Sequence, residues 1–337
     1  MKVVVATRPM LLSLIGLALA ACSGTQHSGE DYEPTIVPKP IEAVLLSGYV
    51  RIEPGCFTMG SPPDEPGRGY DETQHRVCIS RPFFLKATEV TQKEWRALMG
   101  NNPSRFDKCG DECPVEQVNW FEALVYCNAA SRSEGLPECY RLEGCTGTLG
   151  GGCGANDWWC DGDYMCSKVE FAGLGCTGYR LPTDAEWEYA ARAGSRTATY
   201  AGAMEIKGVH NAPALDGISW YCGNSGVTYS GGFDCLGRPE KQRASSRCGT
   251  HPVGAKRANA WGLSDMLGNV WEWCWDWYGT YGGEARDPLG AETGSYRVLR
   301  GGSWEISAGS LRAASRNGSA SGDRGGDLGF RPARSSP

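Results

Sequence analysis

The last 63 residues of this 337-residue chain contain no cysteine, although the chain holds 16 cysteines and the last is Cys274. Histidine is scarce as well, with four in total, and no HExxH, His-x3-His or GxSxG motif occurs. The short-range patterns of zinc proteases and serine hydrolases are therefore missing. A three-histidine metal site would require the scattered His75, His210 and His251 to converge. There is also no internal repeat and no linker-like segment after residue 45, which favours one large domain over 46–337.

The N-terminal segment has the composition of an export signal. Lys2 and Arg8 precede an apolar run of about a dozen residues, which is too short to span a bilayer, and small residues precede Cys22. We therefore expect residues 1–21 to be a lipoprotein signal peptide and Cys22 to be acylated, with ordinary signal cleavage nearby as the alternative. Ser23, in place of an aspartate, favours the outer membrane of a bacterium.

Residues 22–45 are poor in apolar side chains and contain three prolines, so we expect a flexible tether between membrane and domain. Removal of residues 1–21 takes away Lys2 and Arg8 and changes the formal net charge from −6 to −8. An acidic surface suits neither DNA nor anionic lipid, so no nucleic-acid partner is expected.

Fifteen cysteines remain after Cys22, and in an exported chain we expect most of them in disulfides. Because the number is odd, at least one thiol is free or bonded to another molecule; the candidates are Cys127 and Cys274. Cys109 and Cys113 could close a short loop. Six cysteines lie in a polar, glycine-rich insertion over 139–176, and their gaps of five to nine residues favour disulfides over zinc: Cys139, Cys145, Cys153, Cys160, Cys166 and Cys176.

Glycine (47 residues) and tryptophan (12 residues) are both abundant, which predicts an irregular, loop-rich domain held by large buried rings. Capping boxes, in which an oxygen side chain is followed three residues later by glutamate, predict helices that begin after Thr91, Asn119 and Thr183. Each helix is expected to end at a glycine, namely Gly100, Gly135 and Gly194. The remaining apolar stretches are short and predict short strands.

The segment AWGLSDMLGNVWEWCWDWYG, residues 260–279, is the densest signal in the chain. If it is extended after residue 270, four tryptophans point to one side and Glu272 and Asp276 to the other, which is most simply a solvated face. Asp265 precedes the Gly268 turn, whose carbonyls could lie beside Asp265 and Glu272. Two carboxylates with turn carbonyls form an oxygen-only set of the kind that calcium binds, although the spacing is not that of an EF-hand.

A series of motifs in order resembles the formylglycine-generating enzyme, or sulfatase-modifying factor, family. The resemblance covers about residues 47–334 and rests on GCFTMGS (55–61), FFLKATEVTQKEW (83–95), PVEQVNWFEALVYCN (114–128), GYRLPTDAEWEYAARAG (178–194), THPVG (250–254), NAWGLSDMLGNVWEW (259–273), RVLRGGSW (297–304), RAASR (312–316) and LGFRPA (328–333). It implies an irregular α+β fold related to C-type lectins, with little regular secondary structure.

The resemblance also implies a calcium site and a copper site. Calcium would be held by the side chains of Asp265 and Glu272 and the carbonyls of Gly268 and Val270, as a structural ion. A second family calcium site corresponds to residues 220–232, where this sequence departs from the pattern. Catalytic members oxidise a cysteine of a sulfatase peptide with oxygen and copper(I), held by two cysteines after the RGGS motif. These positions are Ile306 and Leu311 here, so copper is not expected.

The expectation for function is thus a lipid-anchored, non-catalytic binding or assembly module of the cell envelope, stabilised by calcium. A groove around Arg300, Ser303, Trp304 and Arg316 would bind a peptide, a glycan or an envelope protein. Alternatively, these arginines only pin loops through carbonyl groups. The competing function is an oxidoreductase, either formylglycine-generating with displaced cysteines or of the non-haem iron type with unrecognised ligands.

Overall fold

The computed structural model describes residues 46–154 and 157–336. The predicted signal peptide (1–21), the acylation site Cys22 and the tether (22–45) lie outside the described residues. Contacts between Cα atoms gather the described residues into one compact unit. Within this part of the chain, no helix combines the length and the apolar composition needed to cross a membrane.

Three α-helices begin at the predicted capping boxes. They are α1 (Gln92–Met99), α2 (Trp120–Ser133) and α3 (Asp184–Arg192). In each helix the N-cap side chain accepts a hydrogen bond from the backbone N–H three residues on, and the glutamate at that position accepts one from the N-cap N–H. The capping predictions are confirmed at Thr91, Asn119 and Thr183. Gly100 caps α1 in the left-handed conformation, while α2 and α3 are capped by Glu134 and Ala193, one residue before the expected glycines.

The strands are short, as predicted from the glycine and proline spacing. Numbered along the chain, they are β1 Tyr49–Ile52, β2 Gly55–Met59, β3 His75–Ile79, β4 Phe83–Lys86, β5 Tyr140–Thr146, β6 Trp159–Asp161, β7 Met165–Phe171, β8 Tyr179–Arg180, β9 Phe233–Asp234, β10 Arg247–Cys248, β11 Trp271–Trp277, β12 Ala285–Arg286, β13 Arg297–Arg300, β14 Arg316–Ser319, β15 Asp323–Gly325, β16 Leu328–Gly329 and β17 Ala333–Ser335.

These strands form several small sheets instead of one large one. Two sheets have four strands, in the orders β1-β4-β17-β8 and β14-β13-β11-β16, and a third has the order β12-β3-β2. The pairs β5-β7, β6-β15 and β9-β10 complete the described ladders. The α+β class and the loop-rich character are therefore as predicted. The C-terminal strands β16 and β17 each join a sheet with an earlier strand, since β16 pairs with β11 and β17 pairs with β4.

Strand β11 separates two apolar clusters. Trp271 and Trp273 pack in the cluster that contains α2, whereas Cys274 packs in the cluster that contains α3. The simplest interpretation of the opposite face, a solvated surface for Glu272 and Asp276, is wrong: their exposed fractions are 0% and 2%. Burial of both faces leaves each carboxylate dependent on partners inside the protein.

Six disulfides crosslink the described residues. In the insertion over 139–176 the pairs are nested, with Cys139–Cys176 outermost, then Cys145–Cys166, then Cys153–Cys160. This arrangement confirms the prediction of disulfides there, and the hairpin β5-β7 explains it, because Cys145 faces Cys166 across the ladder. The short Cys109–Cys113 loop is confirmed as well, and the last two pairs are Cys56–Cys78 and Cys235–Cys248. So many disulfides are typical of exported proteins.

Three cysteines are unpaired in the described part of the chain, and all three are buried. Cys127 and Cys274 are the two that the sequence had suggested, and Cys222 is the third. Burial raises the pKa of the Cys222 thiol, which keeps it protonated near neutral pH.

Candidate functional site

The Gly301–Gly302 turn after β13 directs the predicted groove residues to different parts of the protein. Both glycines have positive φ, 92° and 77°, and a Cβ on Gly302 would lie 3.1 Å from the Cδ1 atom of Leu311. Glycine is therefore required by conformation and by the close approach of Leu311. As a result, Arg300 and Ser303 point into separate buried environments.

Arg300 holds helix α3 against the C-terminal segment. Its side chain is fully buried, its Nη2 lies 2.6 Å from Glu188 Oε2, and its Nε donates to Asp184. Its Nη1 donates to the carbonyl oxygens of Ala313 and Ser315 at 3.1 and 2.9 Å. All of these contacts are internal, so Arg300 acts as a structural clamp.

Arg316 shares Asp184 with Arg300 but lines a cavity. Its Nη2 lies 2.8 Å from Asp184 Oδ2 and its Nη1 donates to the Gly279 carbonyl at 2.6 Å. The guanidinium carbon lies 4.7 and 4.3 Å from the ring centres of Tyr278 and Tyr281. Its Nε is buried without a hydrogen-bond acceptor. The adjoining cavity has a volume of about 420 Å³.

Ser303 and Trp304 lie on another side of the turn. Ser303 Oγ donates to Asp327 Oδ2 at 3.0 Å, and Trp304 Nε1 donates to the Gly326 carbonyl at 3.1 Å. The Trp304 ring packs edge-on against Phe106 at 5.3 Å between centres. Of the four residues predicted to form one groove, Arg300, Ser303 and Trp304 are no more than 1% exposed, and only Arg316 lines a cavity.

Asp327 is a buried carboxylate that the sequence reading missed. Its Oδ2 accepts from Ser303, its Oδ1 has no donor, and burial together with the nearby Glu305 charge raises its pKa to about 7. The available signal was its position directly before the LGFRPA motif (328–333). A carboxyl group with this pKa is poised between its neutral and charged forms at neutral pH.

The two positions that the family resemblance assigns to copper ligands are packed as apolar side chains. Leu311 is fully buried in a cluster with Tyr221 and Leu267, and Ile306 packs against this cluster. The backbone N–H of Cys222 donates to the Ile306 carbonyl at 3.2 Å, which brings one free cysteine next to the turn.

The predicted calcium residues lie together around the 265–272 turn, but their carboxylates differ. Asp265 is 1% exposed, its Oδ2 accepts from the Gly254 N–H at 2.6 Å, and its Oδ1 is buried without a donor. Burial raises the pKa of Asp265 to about 6. Gly268 and Val270 are buried in the same turn, with φ 84° at Gly268.

Glu272 is already neutralised by protein groups. Arg331 Nε and Nη2 lie 2.7 Å from Oε2 and Oε1, respectively, and Trp187 Nε1 donates to Oε2 at 2.7 Å. Both oxygens therefore have close donors. Such a bidentate arginine pair makes Glu272 a poorer calcium ligand than the resemblance suggests.

Glu89 is a second carboxylate that the sequence reading missed. It is fully buried at the end of the FFLKATEV segment, and neither oxygen accepts a hydrogen bond. Its pKa is raised well above the usual value, first by burial and then by the charge of Asp265. The orphaned oxygens of Glu89 and Asp265 provide the donor chemistry that a hard cation requires.

No three His, Cys, Asp or Glu side chains are grouped for metal binding within residues 46–154 and 157–336. A calcium ion beside Glu89 and Asp265 would thus need backbone carbonyls or water as further ligands.

The scattered histidines do not converge in this part of the chain. The His75 ring packs at a tilt against Tyr281 and the His251 ring stacks on Trp220, with ring centres 4.5 and 3.7 Å apart, while His210 Nδ1 lies 2.7 Å from the Pro239 carbonyl oxygen.

Comparison with known proteins gives one consistent family. The family model described as "Sulfatase-modifying factor enzyme 1-like domain" matches residues 36–336. Chaperone protein LppX of Paenibacillus barcinonensis is 35% identical over 302 residues, covering 88% of this chain and 88% of that protein. The formylglycine-generating enzyme of Streptomyces coelicolor is 31% identical over 301 residues, covering 84% and 88%.

Solved structures agree with the sequence relatives. Treponema denticola variable protein 1 superimposes with a TM-score of 0.64 at 31% identity, covering 86% of this chain and 95% of that chain. PvdO from Pseudomonas aeruginosa has a TM-score of 0.60 at 24% identity, covering 86% and 94%, and this likeness concerns the fold alone.

Proposed function

The chain belongs to the sulfatase-modifying factor enzyme 1-like family, and on this basis we propose that it is a non-catalytic member that acts as a binding or assembly module of the cell envelope. The observation that carries the proposal is the pair Ile306 and Leu311. Copper(I) is held by thiolate or thioether sulfur, and neither side chain can supply a ligand atom. Leu311 is also fully enclosed by apolar neighbours.

The remaining free thiols do not suggest a replacement pair. Cys127 and Cys274 lie in different apolar clusters, and Cys222 is attached by its backbone to Ile306. A displaced copper site would need two thiols side by side.

A role in assembly is also supported by a relative. The protein named chaperone LppX matches over 88% of both chains. It is named as a chaperone and not as an oxidase, and its similarity to this chain extends along the whole domain. We extend that class of function, handling or binding another protein, to this chain.

The proposed location is a bacterial membrane, to which the exported domain is attached by lipid. The signal-like residues 1–21, the acylation site Cys22 and the tether 22–45 would place the domain on a lipid anchor, and Ser23 favours the outer membrane. The six disulfides support an oxidising compartment. Labelling of cells with an alkyne fatty acid should mark the wild type and not Cys22→Ala. Unchanged labelling of the variant would reject the anchor.

Calcium is proposed as a structural ion at the Asp265 turn. Asp265 and Glu89 offer buried oxygens without donors, and the carbonyls of Gly268 and Val270 belong to the same turn. The ion would neutralise carboxylates whose burial is otherwise costly. Elemental analysis of the native protein should find calcium, and stoichiometric copper or iron would favour the oxidoreductase function instead.

The decisive test is catalytic. The purified mature protein, with and without copper(I), is incubated in air with a CxPxR peptide, and the mass change to formylglycine is followed. The formylglycine-generating enzyme of Streptomyces coelicolor is the positive control. We expect no turnover by this chain, and oxygen-dependent turnover would reject the non-catalytic assignment.

A further inference from the structure

The cavity beside Arg316 lies outside the turn that carries Ile306 and Leu311. It is bounded by the start of α3, the end of β11 and the glycine-rich loop over 279–292, and its volume is about 420 Å³. Sites for small ligands typically have volumes of about 300–1,000 Å³, so a single side chain or small molecule fits.

Asp276 forms a buried acidic part of the cavity wall, and burial together with the nearby Asp184 charge raises its pKa well above the usual value. It is 2% exposed, and its Oδ2 accepts a hydrogen bond from the backbone N–H of Asp184 at 2.9 Å. Within the described residues no lysine, arginine or histidine nitrogen lies within 4.0 Å of it, whereas Asp184 pairs with both Arg300 and Arg316. Ionisation of a buried carboxyl without a nearby cation is costly, so a cationic ligand at this position would favour the charged form of Asp276.

The entrance of the cavity carries negative charge. Glu284 and Glu292 line the cavity and are exposed, and neither is paired in the described part of the chain. Exposed carboxylates around an opening raise the local concentration of cations and repel anions. The charge pattern thus selects for a cationic group.

Aromatic rings complete the wall. Trp277 and Tyr281 line the cavity, and the His75 ring packs at a tilt against Tyr281 with 4.5 Å between ring centres. Indole and phenol faces attract ammonium and guanidinium groups within about 6 Å. The same rings already accept arginine in the protein, since the Arg297 guanidinium carbon lies 3.4 Å from the Trp277 ring centre.

Gly290 controls how closely the loop approaches Asp276. Its φ is 79°, and a Cβ there would lie 2.6 Å from Asp276 Cβ and 2.8 Å from Asp276 Oδ1. Any larger residue would press on the carboxylate and fill the space above it. Glycine therefore keeps the loop close to Asp276.

We propose that this cavity binds the ammonium group of a lysine side chain from a partner protein, with the ammonium paired to Asp276 and its alkyl chain against Trp277 and Tyr281. The inference rests on the binding role proposed above and names the ligand class. A neutral sugar would use the aromatic wall but would supply no positive charge to the Asp276 carboxyl or to the acidic entrance. An anionic ligand would be repelled by Glu284 and Glu292.

The test uses the full mature chain and two small probes that differ by one charge. Nα-acetyl-lysine amide carries the ammonium group, and its Nε-acetyl derivative has the same chain without the charge. Calorimetric or NMR titration should detect binding of the first probe only. Equal binding of both probes, binding of neutral monosaccharides alone, or no binding of the charged probe would each overturn the proposal.

Two variants locate the site. Asp276→Asn keeps an oxygen for the Asp184 N–H and should fold, yet weaken binding of the charged probe by roughly 30-fold or more. Glu292→Gln, at the exposed entrance, should weaken it by a few fold, mostly at low salt. Glu205→Gln is the matched control, because Glu205 is exposed and does not line the cavity.

Unchanged binding of the charged probe by Asp276→Asn would overturn the assignment of the ammonium site to Asp276. Failure here is distinguishable from failure of the proposed function, since the latter is decided by formylglycine formation and metal content. A protein that makes no formylglycine and ignores the charged probe would lose only the lysine site.

Discussion

Glu272 and Arg331 form a fully buried bidentate ion pair, with both nitrogen–oxygen distances at 2.7 Å. Trp187 Nε1 also donates to Glu272, which links β11, α3 and the C-terminal segment in one contact. The pair thus holds the C-terminal segment against β11. It also engages Glu272, the carboxylate that the family resemblance assigns to calcium.

Removing one partner of this pair should strongly destabilise the protein. Glu272→Gln leaves Arg331 buried without its counter-charge, and such changes cost about 3–5 kcal/mol. Urea unfolding with a chelator present measures the loss separately from calcium binding. Glu138→Gln, which breaks the exposed pair with Arg132, should change stability little. Equal effects of the two substitutions would contradict the structural role of the buried pair.

Calcium removal should lower the melting temperature of the wild type. With calcium at 100 times its Kd the stabilisation would be about 2.7 kcal/mol. Glu89→Gln removes the only group at this position that can offer a carboxylate to the ion, so this variant should respond less to calcium than the wild type does. Differential scanning fluorimetry checks both effects. An identical calcium response in wild type and variant would exclude Glu89 as a ligand.

The raised pKa of Asp327 predicts that the free energy of unfolding falls as the pH rises. Its folded pKa is raised from 3.8 to about 7 by burial, so between these values the folded protein binds more protons than the unfolded chain. This contribution to stability is fully present below pH 3.8 and is lost as the pH rises through 7, by on the order of 4 kcal/mol.

Asp327→Asn tests this pH dependence. The amide oxygen can still accept from Ser303, and no ionisation remains, so the slope of unfolding free energy against pH should become flatter between pH 4 and pH 7. Denaturant titrations at several pH values give the slope. If the two proteins have parallel profiles, the raised pKa of Asp327 is refuted.

The cysteine pattern predicts a thiol count. After denaturation without reductant, the acylated mature protein should react with about three equivalents of a thiol reagent, from Cys127, Cys222 and Cys274. The native protein should react slowly because all three are buried. A count of five or more would show that one disulfide is open. Substitution of Cys222 by serine should lower the count by one.

Features governed by neighbours along the chain could be predicted from sequence. The helix starts at Thr91, Asn119 and Thr183 depend on contacts three residues apart, and the disulfides of the insertion join cysteines that are close in the chain, although their pairing did not follow from the sequence. Their chemistry is complete within a short segment, which is why the prediction succeeded.

Partners distant in sequence could not be predicted in this way. Arg331 lies 59 residues from Glu272, and Asp184 lies 116 residues from Arg300. The alternation of β11 separated its tryptophans from its acids but did not reveal that both faces are buried. The residues expected to form one groove are apart for a related reason. The Gly301–Gly302 turn places Arg300 and Ser303 in different buried environments.

Strand β11 also has a consequence for folding fidelity. A one-residue slip in its pairing would turn the indoles towards the arginines of the α3 side and push Glu272 and Asp276 into the aromatic cluster, because alternate side chains face opposite ways. Either misplacement would be heavily penalised. The side-chain pattern of β11 therefore strongly favours one register. In a chain rich in glycine and loops, this strand has a well-defined position against which the other segments can pack.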